Sequence, residues 1–465
     1  MIKKYGWVAR ELIFAAIIAF AASFYFGHAF TNHDSVIYKI IADGIIEHGQ
    51  MPYSYAFDHK PAFLYYIYAA FSLIYPFKIG FFAAISLLFY LVSAVIVSFY
   101  CYRSFKNVAG IALAIMFFSF PFVDFSGNTE ILYSPIALAS LLILMRSSRT
   151  KPVAISGMLA IFAVNINYMV GVALSLPTIF LLIGRDMKST LRQTAIYAAG
   201  VAIGLIVVFA PLQMTVGVMD GYLKPQITFL SAYGDGGISH SETLMFFLPV
   251  IASVFLFPAL YLMGKFSSIR NRRGLIAAAL CMTSCIMCVI IAGKPFMHYS
   301  AIFLIPCCLF AVAAGKNAMA IIALSALPFN IYYKDMTIKL FNLHERLEAS
   351  YTSKKEDDFK SLHALVGDEK VLSVRASHVL YYLSDMEPFD KYIWMTHRTQ
   401  IMGAREESYI MEKIRQNPRF VMTGNNLCQN PAGMEDVCTY LKENYTLKKS
   451  VVWGFQFGGD VFERK

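Results

Sequence analysis

Two stretches near the start of the chain decide most of what it can become. ELIFAAIIAFAASFYF (11–26) and IGFFAAISLLFYLVSAVIVSFYCY (79–102) are apolar on every face of a helix. Runs of this kind approach or exceed the about 20 residues that a helix needs to cross a bilayer. In hydrocarbon a helix satisfies its own backbone N–H and C=O groups, so these runs define a polytopic α-helical membrane protein. A transmembrane barrel is excluded, because its strands alternate apolar and polar residues over about 10 positions. The composition of the 465 residues agrees: 57% are apolar and 15% charged, against about 25% charged in soluble domains. The net charge of +10 therefore reads as a mark of topology, and no nucleic-acid partner is expected.

Placing Lys3, Lys4 and Arg10 inside, with a retained first span, gives eleven spans near 11–30, 79–101, 108–124, 131–145, 152–166, 168–183, 193–216, 244–263, 274–293, 299–315 and 317–333. The Tyr-rich run 61–77 is taken as an interfacial helix, as amphipathic aromatic segments favour the membrane surface. With that choice Arg103, Lys106, RSSRTK (146–151), GRDMKSTLR (184–192), GKFSSIRNRR (264–273) and Lys316 all fall in the cytoplasm. One register satisfies the positive-inside rule throughout. It leaves an outer loop at 31–78 and puts everything after residue 334 outside.

From about residue 345 the composition turns charged and mixed, which sets a boundary between a membrane domain, 1–335, and a small outer α/β domain, 345–465. KVLSV, KYIWM, RFVMTG and KKSVVWG read as its strands, and SHVLYYL, EESYIMEKIRQ and MEDVCTYLKENY as its helices. Cys428 and Cys438 flank a Pro- and Gly-containing loop, so a disulfide is expected if this domain meets an oxidising compartment. The cysteines inside apolar runs read as packing residues.

Ionisable residues gather on one face. The first outer loop holds Asp34, Asp58 and Lys60; Glu130 opens the fourth span in GNTE, with Asn128 or Thr129 near its N-cap; Lys294 and His298 lie in AGKPFMHY. Charges at the mouths of spans are costly unless paired or used. A carboxylate can accept the proton of an attacking hydroxyl, and lysines can stabilise a departing phosphate. Together they suit group transfer from a lipid phosphate.

The first loop, with Asp34 followed by IADGIIEHGQMPYSYAFDHKPAFLYYIYAAF, resembles that of the GT-C membrane glycosyltransferases, the superfamily of the protein mannosyltransferases and the aminoarabinose lipid A transferase. The resemblance extends through GNTE and KPFMHY. It implies an inverting glycosyltransferase that moves a sugar from a polyprenyl-phosphate donor to a cell-envelope acceptor at the outer face of a bacterial inner membrane. The acceptor would be an O-antigen or other lipid-linked glycan, with lipid A or protein hydroxyls as further options. It also implies roles: Asp34 as catalytic acid, Lys60 at the donor phosphate with Lys294 and His298, and Glu130 and Asp58 as acceptor contacts or second acid. Ser35 and Ala62 depart from the family pattern, and the first weakens the case for a paired-carboxylate metal site. Asp34, Asp58 and the adjacent histidines could hold a divalent cation such as Mg or Mn. A transporter or flippase of a lipid-linked glycan is the alternative, and it would place acids deep inside spans.

Orientation is directly testable. A cysteine at Ser267 should resist an impermeant thiol reagent in intact spheroplasts while one at Lys354 reacts; the reverse pattern would overturn the threading.

Overall fold

The computed structural model describes residues 33–78, 80–105, 126–184, 186–234, 239–265, 271–294, 297–314, 353–431, 433–453 and 457–465. The spans expected at 11–30, 108–124 and 317–333 lie outside these residues. The outer loop folds into two helices, α1 (His33–His48) and α2 (Ala62–Ile74), packed on each other. α1 is buried on every face from Ser35 to Ala42, and α2 buries Tyr65, Tyr68, Ala69 and Ser72 while Leu73 and Ile74 stay exposed.

The apolar runs become α3 (Phe81–Phe105), α4 (Thr129–Arg146), α5 (Thr150–Val164), α6 (Met169–Leu182) and α7 (Met187–Thr215). A π-helical turn, Val218–Leu223, leads into α8 (Lys224–Gly234), followed by α9 (His240–Lys265) and α10 (Arg272–Ala292). The last described run starts as a 3-10 helix, Met297–Phe303, and continues as α11 (Leu304–Ala314). Most boundaries lie within a few residues of the expected span; α7 begins six residues earlier than expected, and α8 was not expected. Among the described residues α4, α7 and α10 are long and apolar enough to cross a membrane by themselves. Polar residues at the turns set the ends. Ser189 N donates to Asp186 Oδ1 at 2.7 Å and Asp186 N to Ser189 Oγ at 3.3 Å, a capping box for α7. Gly274 N donates to Asn271 Oδ1 at 2.9 Å at the start of α10.

Helices in lipid gain little from apolar burial against one another, so close approach of backbones matters more. The α5–α7 seam shows this. A Cβ at Gly200 would lie 1.9 Å from the carbonyl oxygen of Ala154, and one at Gly157 would lie 2.2 Å from that of Tyr197. Gly204, one turn on from Gly200, faces Met158 and Ile161. Between α4 and α5, Ser140 Oγ donates to Ser156 O at 3.0 Å and Ser156 Oγ to Ser140 O at 2.9 Å.

Residues 353–465 form a five-stranded sheet with helices around it. They comprise α12 (Ser353–Val366), β1 (Lys370–Val374), α13 (Val379–Leu383), β2 (Glu387–Pro388), α14 (Met395–Met402), α15 (Glu406–Ile414), β3 (Phe420–Thr423), α16 (Glu435–Asn444), β4 (Tyr445–Trp453) and β5 (Phe457–Arg464). The order is β2-β1-β3-β5-β4, with β1 parallel to β2 and β3, and β5 antiparallel to β3 and β4. Side chains alternate by face. Leu372, Val374 and Val421 pack under α15 and α16, where Cys428 and Cys438 are joined by a disulfide. Val371, Phe420 and Met422 belong to the same continuous core as the helical bundle.

Two strand assignments need correction. KYIWM is not a strand: Lys391 O accepts from Phe57 N at 2.8 Å, and Tyr392 packs on Phe57 with ring centroids 5.3 Å apart. The segment's apolar side chains and backbone face the outer loop instead of the sheet, and Glu387–Pro388 takes the edge beside β1. The unexpected strand is β5, whose Gly458 and Gly459 weaken the pattern that marks a strand.

Overpacking the α5–α7 seam tests the bundle. Gly200→Leu should lower stability by about 1–3 kcal/mol or more, read as a fall in thermal midpoint of the detergent-solubilised protein, whereas Ile206→Leu, on the exposed face of α7, should change it little.

Candidate active site at the outer loop

Asp34 stands in the first turn of α1, where a carboxylate is favoured by the helix dipole. One turn further, Tyr38 is buried. Burial, and the nearby charges of Asp34, Asp58 and Glu130, push its phenol well above the ordinary value, so it stays a neutral hydroxyl with three acids around it.

Glu130 arrives through the turn before α4. Gly127 adopts φ +83°, and a Cβ there would meet the Tyr68 hydroxyl at 2.5 Å, so the turn depends on glycine. Tyr68 OH donates to Gly127 O at 2.5 Å, and Gly127 N donates to Ser86 Oγ at 2.9 Å. Asn128 occupies the N-cap position without a side-chain capping bond. Glu130 is buried, and Asn167 Nδ2 donates to Thr129 Oγ1 at 3.0 Å and to Glu130 Oε1 at 3.4 Å.

The turn Asp58-His59-Lys60 is the most constrained part of the site. Asp58 is 0% exposed. Its Oδ2 accepts from Tyr65 OH at 2.8 Å and from the backbone N–H of Lys60 at 3.3 Å. Tyr53 OH and Tyr65 OH both donate to the Lys60 carbonyl, at 2.7 and 3.2 Å. Gln226 of α8 donates from Nε2 to Asp58 O at 3.1 Å. The backbone that presents Lys60 is therefore fixed from α2, α8 and the loop itself.

His397 of α14 enters from the C-terminal sheet unit. Its Nε2 lies 3.1 Å from His59 Nδ1, and Asp58 Oδ1 lies 3.1 Å from His59 Nδ1 and 3.5 Å from His397 Nδ1. Phe229 stacks on His59 at 4.5 Å and meets His397 edge-on at 4.7 Å, while the Trp394 ring lies 4.0 Å from His397. Burial pushes both imidazoles below their ordinary range, with Lys60 adding to the effect and Asp58 opposing it. Burial alone would raise the Asp58 carboxyl, but His59, His397 and Lys60 together hold it well below the usual carboxylate range.

The 3-10 helix that carries His298 packs on α4 and α10, and Lys294 follows the left-handed Gly293 that ends α10. The 3-10 helix with His298 is thereby placed against α4, the helix whose first turn holds Glu130. Sequence reading missed His397, Gln226, Tyr53, Tyr65 and Asn167. Tyr65 left a trace only as part of the Tyr-rich run 61–77.

Helical bundle, outer helices and C-terminal sheet together make up a fold shared, at low sequence identity, with solved structures. The comparable crystal structures are those of ArnT from Cupriavidus metallidurans. The one bound to undecaprenyl phosphate has a TM-score of 0.64 at 13% identity and covers 98% of each chain. The apo form gives 0.63 at 13% identity, over 99% of this chain and 98% of that one. The archaeal oligosaccharyltransferase AglB from Archaeoglobus fulgidus superposes with a TM-score of 0.44 at 12% identity, over 99% and 74%. No protein-family model matches the sequence, and no curated protein does.

Tyr65→Phe removes one of the donors to a buried carboxylate. It should destabilise the protein by about 1–3 kcal/mol, measured by thermal unfolding; an unchanged midpoint would show that Asp58 does not depend on that bond.

Proposed function

We propose that this chain is an inverting glycosyltransferase that takes a sugar from a polyprenyl-phosphate donor and passes it to a cell-envelope acceptor. The reading is supported by the rigidly held Lys60 turn in the same outer loop that carries Asp34 in the first turn of α1, in a fold shared over 98% of each chain with an ArnT structure bound to undecaprenyl phosphate. In the reaction the acceptor hydroxyl attacks the anomeric carbon as the bond from that carbon to the phosphate oxygen breaks. The carboxylate of Asp34 takes the hydroxyl proton. The electron pair leaves with the polyprenyl phosphate, whose growing charge is met by Lys60, with Lys294 and His298 as further donors. Attack opposite the leaving group inverts the configuration.

Glu130, steadied by Asn167, serves as the second acid and orients the acceptor. Asp58 works one step back, because its carboxylate is buried and engaged by Tyr65 and the Lys60 backbone. The acceptor class is an O-antigen or another lipid-linked glycan, ahead of lipid A and protein hydroxyls. The site belongs on the outer side of a bacterial inner membrane, with residues 31–78 and 345–465 periplasmic.

Asp34→Asn and Lys60→Ala should fail differently when purified protein is given a polyprenyl-phosphate sugar and acceptor. Asp34→Asn should keep donor binding and lose turnover by about 100-fold or more. Lys60→Ala should weaken both donor affinity and turnover, since a phosphate contact acts in the ground state and strengthens in the transition state. Wild-type rates in Asp34→Asn would sink the reading.

A further inference from the structure

Around the Asp58 turn lie polar atoms that the folded chain leaves unmatched. His397 Nδ1 and Gln226 Oε1 are buried and make no hydrogen bond, and Asp58 Oδ1 makes no well-aligned one although it lies 3.1 Å from His59 Nδ1. An unpaired buried polar atom costs about 1–3 kcal/mol, and these atoms, from three separate segments, meet at one turn. One donor atom each from Asp58, His59 and His397 lies within 4.8 Å of the others. Taking one nitrogen of each ring, Asp58 Oδ1 lies 3.1 Å from His59 Nδ1 and His59 Nδ1 lies 3.1 Å from His397 Nε2, close to the roughly 3.3 Å between donors on a tetrahedron with bonds of about 2.0 Å.

We propose that Asp58, His59 and His397 bind one divalent transition-metal ion of the zinc class. Two imidazoles and one carboxylate suit zinc, cobalt or nickel, whereas magnesium and manganese favour sets of oxygen ligands. The cation expected from the sequence, Mg or Mn with Asp34, is thereby replaced by a softer ion at a different group of residues, with Asp34 left out. Phe229, Trp394 and Phe57 enclose both rings, which fixes their orientation as a metal site requires. The ion ties the outer loop to a helix 338 residues further along the chain. Its work is to hold the Lys60 turn against the C-terminal unit, and it does not touch the reacting sugar.

The test uses the full chain in detergent, stripped with a chelator and then exposed to zinc in the presence of excess magnesium. Elemental analysis after desalting should find one zinc per chain at this site, and the thermal midpoint should rise with zinc and not with magnesium. His397→Asn and Asp58→Asn should each weaken zinc affinity by over about 100-fold, beyond what loss of a mere supporting contact gives. The buried cysteines of α10 and α11 are untouched in both variants, so zinc held by thiols would survive and be recognised. Should Asp58→Asn fail to fold, the wild-type protein loaded with cobalt(II) decides: strong visible bands of a tetrahedral nitrogen and oxygen site support the proposal, and a weak aqueous-type spectrum overturns it. Wild-type protein that retains no zinc, or His397→Asn that retains it fully, also overturns it. None of these readouts needs a glycosyl donor, so the metal site can fail while the transferase reading stands, and the reverse.

Discussion

A fully buried carboxylate is tolerable only where other groups converge to satisfy it, and Asp58 is such a group. Its requirements recruit every part of the molecule. Tyr65 comes from α2, the Lys60 amide from the loop, the Gln226 amide holds the local backbone from α8, and His397 closes the group from α14. Weakening any one of these contacts loosens the turn that aims Lys60. The outer loop is thus a load shared between the membrane bundle and the sheet, and not a flexible connection between two spans.

The junction has a second anchor at the far end of α2. Lys78 Nζ donates to Tyr382 O at 2.8 Å and pairs with Asp385, while Tyr382 OH donates to Lys78 O at 3.2 Å. His48 at the end of α1 lies 3.7 Å from Glu387. Isolated surface ion pairs contribute little. Here, however, they accompany backbone bonds and a core that runs without a break from the bundle into one face of the sheet. Both outer helices are therefore clamped from above, which keeps Asp34 and the Lys60 turn in a fixed relation.

The bundle was legible in the sequence because burial in lipid demands long apolar runs and basic turns, and both are local signals. β1, β3, β4 and the helices α13, α15 and α16 were legible for the same reason, since their pattern sits within a few residues, whereas α14 was not. KYIWM defeated that logic: its apolar residues look like a strand, but their partner is the outer loop, and no local pattern reveals that. β5 was lost to its paired glycines. At the site, Asp34, Asp58, Lys60 and Glu130 could be singled out as charges beside apolar runs. His397 could not, because its meaning comes entirely from a contact with His59, and WMTHRTQ looks like any amphipathic segment. Asp58 was visible as an acid, but its complete burial and its tyrosine partner depend on tertiary packing.

The hydrogen bond from Phe57 to Lys391 also has a temporal side. Contacts between residues so far apart in sequence form late, because the entropy of closing the intervening chain must be overcome first. During synthesis the bundle can assemble helix by helix as each run emerges, whereas the turn at 58–60 stays open until the ribosome has passed residue 397. A truncated or half-made chain can thus have well-packed helices and still lack the contacts that fix this turn. The distance along the chain acts as a timer, and only a finished molecule closes the turn.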